Sequence, residues 1–178
     1  MKKTEEYIAK EILEKFVNSC FSNLTKGESP DWFSDEHSYG LEIVRAEKQE
    51  QIKLSKSLKK KQMSKGELEN LQKQGCKTYC GFISHTIFEP DDKYFEVFKD
   101  IVLNKNDKLL TSYKKYKIND LFVFAFDLLI DLGDIKEMVA KFLEENTVEF
   151  NHLMVLIDNV LIIFETSTRN LIYENKIS

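Results

Sequence analysis

In "KTEEYIAKEILEKFVNSC", apolar residues recur at Ile8, Ala9, Ile12, Leu13, Phe16 and Val17, which predicts an amphipathic helix over residues 3–20. At about 100° per residue Glu5 falls inside the apolar arc, one turn before Ala9, whereas Glu11 and Glu14 fall on the wet side. After the loop-like "SNLTKGESP", residues 31–33 and 39–45 read as two short strands joined by the polar turn "SDEHS", a hairpin. Alternation puts Gly40, Glu42 and Val44 on one face of the second strand, and Leu41, Ile43 and Arg45 on the other.

Residues 46 to about 74 are rich in Lys, Glu and Gln and poor in β-branched side chains, which predicts a solvated helix broken near Ser64-Lys65-Gly66. "CGFISHTIF", residues 80–88, predicts a strand closed by "EPDD". A helical stripe of Phe95, Phe98, Val102 and Leu109 spans residues 91–115. The nearly continuous apolar run "DLFVFAFDLL", residues 120–129, fits a central strand buried on both faces. "DIKEMVAKFLEEN" predicts a short helix with Asp134 as candidate cap, and "FNHLMVLIDNVLIIFET" two strands around a tight turn at Asp158-Asn159. This order implies an α/β fold in which a mixed central sheet is flanked by helices and ends in a C-terminal hairpin. Residues 1–178 read as a single domain, with no internal repeat or low-complexity tail.

Composition narrows the possibilities. A hydrophobic share of 42% and a charged share of 31% are those of a soluble globular chain. The first twenty residues are laced with acids and lysines, and no apolar run reaches membrane-spanning length, so the expectation is a cytoplasmic protein without membrane contact. Cys20, Cys76 and Cys80 are odd in number and lack a second ligand pair, so they read as free thiols rather than a zinc site. His37, His85 and His152 stand in no ligand or nucleophile spacing, and no glycine-rich phosphate loop or nucleophile elbow is present.

A net charge of −4 argues against avid, non-specific binding of nucleic acid. Its distribution is uneven, because residues 44–77 hold ten Lys and Arg against four acids and leave −10 for the rest. Lys53, Lys56 and Lys60 fall within one helical arc with Arg45 at its start: either a phosphate-contacting stripe or a solvated helix face.

Three acids carry the candidate chemistry. Asp31 and Glu42 lie on paired strands that can bring them to one sheet face, and Glu5 projects inward from a helix that packs on that sheet. Buried carboxylates are costly unless paired, hydrogen-bonded or bound to a cation. Hard oxygen ligands suit Mg²⁺ or Mn²⁺, which can polarise a phosphodiester and activate a water. Each acid also has a plain structural role open to it: Asp31 as a turn residue after Pro30, Glu42 as a lysine partner, Glu5 at a helix N-terminus.

Inward Glu5, then Pro30-Asp31, ten intervening residues and Glu42-Ile43-Val44, resembles the PD-(D/E)xK, or restriction-endonuclease-like, superfamily. The resemblance covers residues 1 to about 165 and is specific at Pro30-Asp31 and Gly40-Leu41-Glu42. It implies a restriction-endonuclease-like core, Asp31, Glu42 and the Ile43 backbone carbonyl as metal ligands, Glu5 as an auxiliary acid, and cleavage of DNA or sometimes RNA. One residue departs from the pattern, because Val44 stands where the family carries its lysine. Arg45 points to the other sheet face, so Lys48 or Lys53 on the following helix would have to take that role. Two functions follow: metal-dependent phosphodiester hydrolysis with DNA ahead of RNA as substrate, or a catalytically inactive binding module on the same fold. The second would be an immunity- or antitoxin-like protein, or a subunit of a defence or repair complex, whose acidic surface suits a basic protein partner.

Overall fold

In the computed structural model, which describes residues 4–46, 77–79, 82–84, 91–125, 132–157 and 159–177, the chain divides into two compact units. One comprises Met1–Ala46 and Phe98–Ser178, the other Glu47–Val97. The elements are α1 (Glu5–Phe16), a 3-10 turn (Ser19–Asn23), β1 (Thr25–Lys26), β2 (Trp32–Ser34), β3 (Tyr39–Arg45), β4 (Lys77–Tyr79) and β5 (Phe82–Ser84). They continue with α2 (Asp91–Thr111), β6 (Ile118–Ala125), α3 (Leu132–Glu145), β7 (His152–Ile157), β8 (Val160–Glu165) and β9 (Asn170–Lys176).

Seven strands form one mixed sheet in the order β1-β2-β3-β6-β7-β8-β9. The pairs β3–β6 and β6–β7 are parallel, and the remaining neighbours are antiparallel. Parallel neighbours need a crossover, which explains why helical segments precede and follow β6. Alternation along the central strands splits the core in two. Phe122, Phe124, Met154, Leu156, Leu161 and Ile163 join Leu41 and Ile43 beneath α1, whose Ala9 and Leu13 are fully buried. Burying Leu13 contributes about 2 kcal/mol. Trp32 locks this face by donating its indole N–H to the Glu6 carbonyl at 3.1 Å. On the reverse face, Leu121, Val123, Leu153, Val155 and Ile162 are buried on the side of α2 and α3, where Phe98 and Phe142 meet edge to face at 6.2 Å.

The mixed sheet, its flanking helices and the β7–β8 hairpin match the pattern of the sequence. Several boundaries differ. The first helix ends at Phe16, because residues 19–23 turn into a 3-10 segment whose start is capped by Asn18 Oδ1 accepting from Cys20 N at 2.9 Å. Of the expected strand over residues 80–88, Phe82–Ser84 is a strand, β5, paired antiparallel with β4 in a separate two-stranded sheet, and the other residues of that range lie outside the described ones. The expected helix over residues 46–74 lies outside the described residues. β1 and β9 were not expected. β9 exposes Leu171 and Ile172 and owes its order to pairing with β8 rather than to burial. Among the described residues no helix is long and apolar enough to cross a membrane.

Candidate functional site

Asp31 is delivered to the head of β2 by the turn "GESPD". Gly27 N–H donates to the Asp31 carbonyl at 2.8 Å, and a Cβ at Gly27 would lie 2.5 Å from the Pro30 carbonyl oxygen. Only glycine fits there without moving the turn. The register of Trp32 with Leu41 sets Asp31 beside Glu42 on the neighbouring strand. Asp31 Oδ2 accepts from the Ile43 amide at 2.8 Å, and Lys26 Nζ stands 3.6 Å from Oδ1 while pairing with Glu6 at 2.8 Å. Burial, followed by the charge of Glu42, pushes Asp31 up to about 6, against the opposing pull of the Ile43 amide and Lys26.

Glu42 is 4% exposed. Its Oε1 accepts from Lys105 Nζ in a short contact and from Tyr113 OH at 2.9 Å, while Lys105 Nζ also reaches Tyr113 OH at 3.3 Å. Burial alone would lower Lys105, but the hydrogen bond and charge of Glu42 outweigh it and hold the ammonium above its ordinary value. Burial and Glu42 together push the Tyr113 phenol up. Glu42 Oε2 is buried and has no hydrogen-bond partner among the described residues. Such an atom costs free energy unless something else satisfies it. The crevice beside it, walled in part by Pro30, Gly40 and Tyr113, is too narrow to hold a water.

Lys105 is the residue that sequence reasoning missed, although a signal was present. It sits three residues after Val102 and four before Leu109, inside the apolar stripe of α2, where a lysine must reach an inward partner. The side chains expected from the resemblance are distributed differently. Glu5 is not brought to the other two acids: its Oε1 lies 2.8 Å from Arg45 Nε, on the sheet face opposite Glu42. The cause is that α1 covers the Leu41, Ile43 and Arg45 face, whereas Glu42 turns toward α2. Arg45 is therefore engaged with Glu5. Ile43 packs beneath α1 and gives its amide to Asp31. Lys48, Lys53, Lys56 and Lys60 lie outside the described residues, as do Cys76, Cys80 and His85. Cys20 is a free, exposed thiol.

Among the described residues no group of three or more His, Cys, Asp or Glu side chains is gathered for a metal ion. Mg²⁺ needs only one or two carboxylates, the rest being water and substrate phosphate. Asp31 and Glu42 stand side by side with one oxygen unsatisfied, the two carboxylates of such a set, but the crevice beside Glu42 leaves no room for the waters that would complete it. The chain matches no protein-family model, no curated protein and no solved structure.

Proposed function

We propose that the chain hydrolyses phosphodiester bonds in nucleic acid, DNA before RNA, with Mg²⁺ or Mn²⁺ held by Asp31 and Glu42. The observation that carries this reading is the buried, unpartnered Oε2 of Glu42 beside Asp31, with the Lys105 ammonium on the other oxygen. The order α1, β1 to β3, the separate β4–β5 pair, α2 and β6, with β6 parallel to β3, supports a restriction-endonuclease-like core. A cation bound there would supply Lewis acidity and a more acidic water. The chain's own part is positional. The Gly27 turn sets Asp31, the β2–β3 register sets Glu42 beside it, and Lys105 offers from α2 the ammonium that Val44 lacks. Held above its ordinary value, that ammonium stays protonated and can donate to a phosphate oxygen or orient the attacking water. Lys48 and Lys53 are then not needed for this role, and Lys53, Lys56 and Lys60 remain proposed phosphate contacts.

The second reading, a catalytically inactive binding module, is favoured by one feature. Lys105 already compensates Glu42, and the crevice beside it admits no water. Thermal unfolding with and without millimolar Mn²⁺, followed by cleavage assays on plasmid and single-stranded DNA, separates the two. The nuclease reading expects Mn²⁺ to raise the wild-type midpoint by mass action, and not that of Asp31→Asn. Lys105→Met should keep the Mn²⁺ response and lose cleavage by about 100-fold. An unresponsive wild type that cleaves nothing leaves the binding module as the reading.

A further inference from the structure

A cavity of about 390 Å³ opens on the α1 side of the sheet, away from Glu42, between the 3-10 turn and β3, β6, β7 and β8. Its walls are mainly apolar, with Phe21, Leu24, Met154 and Ile163 among them. One polar network interrupts them. Asp120, 2% exposed, accepts from Tyr39 OH at 2.7 Å on Oδ2, and Oδ1 meets both His152 N at 3.1 Å and His152 Nδ1 at 2.8 Å. Both carboxylate oxygens are thereby used. The imidazole is fixed with Nδ1 toward Asp120, which leaves Nε2 as the one polar atom of the network without a partner among the described residues. A half-buried, oriented imidazole with a free nitrogen in the wall of an apolar cavity has the composition of a small-molecule site: a hydrophobic enclosure with few placed polar groups.

We propose that this cavity binds a small carboxylic acid with an apolar body, its carboxylate accepting a hydrogen bond from His152 Nε2. The volume lies near the lower end of ligand pockets and suits a medium-chain or single-ring acid better than a nucleotide. Chemistry selects the head group. With Nδ1–H given to Asp120, a proton added to the ring resides on Nε2, and a carboxylate is the acceptor that gains most from an imidazolium donor. The hydrogen bond to Asp120 raises His152 above its ordinary value, opposed by burial and supported by Asp120 and Glu165 charge. The other titratable groups nearby do not compete for Nε2. Glu165, opposite His152 on β8, accepts from Thr168 Oγ1 at 2.6 Å. Tyr39 is committed to Asp120 and pushed well above the usual phenol value by burial and that carboxylate, so it remains a neutral donor. His37 and Cys20 line the cavity without bonding to the imidazole.

This site shares neither Asp31 nor Glu42, so it stands or falls separately from the nuclease reading. The test titrates the full chain with octanoate, octanol and octylamine, following affinity by calorimetry and the His152 ring by NMR at about pH 6 and about pH 9. Octanoate should bind about tenfold tighter than octanol at the lower pH and lose that advantage at the higher one, with octylamine no better than octanol. His152→Asn keeps a donor toward Asp120 but has no Nε2, and should erase the preference for octanoate. Ile172→Glu, at an exposed position on the rim, does not threaten the fold and should weaken octanoate selectively. Equal binding of the three probes, no binding at millimolar concentration, or octanoate unaffected by both substitutions would overturn the proposal.

Discussion

Two buried carboxylates on adjacent parallel strands, Glu42 on β3 and Asp120 on β6, are treated in opposite ways. Asp120 is closed: a phenol, a backbone amide and an imidazole occupy both of its oxygens. Glu42 is open: Lys105 and Tyr113 crowd onto Oε1 while Oε2 has no partner among the described residues. Burial is nearly the same, 2% against 4% exposed, so depth in the sheet does not explain the difference. The neighbours do. Asp120 has hydrogen-bond donors directed at it from β3 and β7, whereas Glu42 has a second carboxylate, Asp31, beside it on β2. A closed network holds another group in place, here the His152 ring. The open pair of acids leaves one carboxylate oxygen unsatisfied among the described residues although a lysine compensates Glu42.

The largest expected effect tests the closed side. Asp120→Ala strips the partners from Tyr39 OH and from the His152 amide, leaving two donors unsatisfied at about 1–3 kcal/mol each. A loss of about 3 kcal/mol in urea unfolding, followed through the buried Trp32, is the expected result. Adding His152→Asn should recover little, because Tyr39 stays unpaired. The open side should behave differently. Lys105→Met leaves Glu42 without its counter-charge and is expected to cost about 2 kcal/mol, below the usual cost of breaking a buried pair because Lys105 is 19% exposed. Adding Glu42→Gln to Lys105→Met should restore most of that loss. A double-mutant cycle with no recovery would mean that Glu42 is held by its whole surroundings, as Asp120 is, and the contrast would fail.

Much of this contrast was legible in the sequence on one side only. The α1 stripe, the alternation that turns Glu42 away from Ile43, and the apolar runs of β6 and β7 all report local periodicity, which a chain cannot hide. Periodicity says which way a side chain points on its own element, but not which face of the sheet a helix will cover. Glu5, read as the acid that points inward, is 41% exposed and faces Arg45 rather than Glu42 for that reason. Lys105 disappeared into an apolar stripe because a lysine is ordinarily read as solvent-facing, although its position among Phe98, Val102 and Leu109 said otherwise. β9 carries no buried face to reveal it. The Asp120 network joins residues 81 and 32 positions apart, so only the pairing of β3, β6 and β7 brings it together.

The smallest expected effect concerns the sign of the His152 contribution. Its ring is raised in the folded protein above the ordinary value of 6.5, first by the hydrogen bond to Asp120 and against burial. Below the unfolded value both states carry the proton, and the stabilisation from the imidazolium–carboxylate pair is fully present. As pH rises through the folded value the ring loses its proton and this contribution fades, leaving a neutral hydrogen bond. Asn at position 152 can make a neutral hydrogen bond to Asp120 but cannot ionise. The stability difference between wild type and His152→Asn should therefore be larger at about pH 6 than at about pH 9, by well under 1 kcal/mol because His152 is 28% exposed. Urea midpoints at the two pH values measure it. A difference that grows with pH would mean that Asp120 is stabilised by the neutral ring and that the closed network owes nothing to charge.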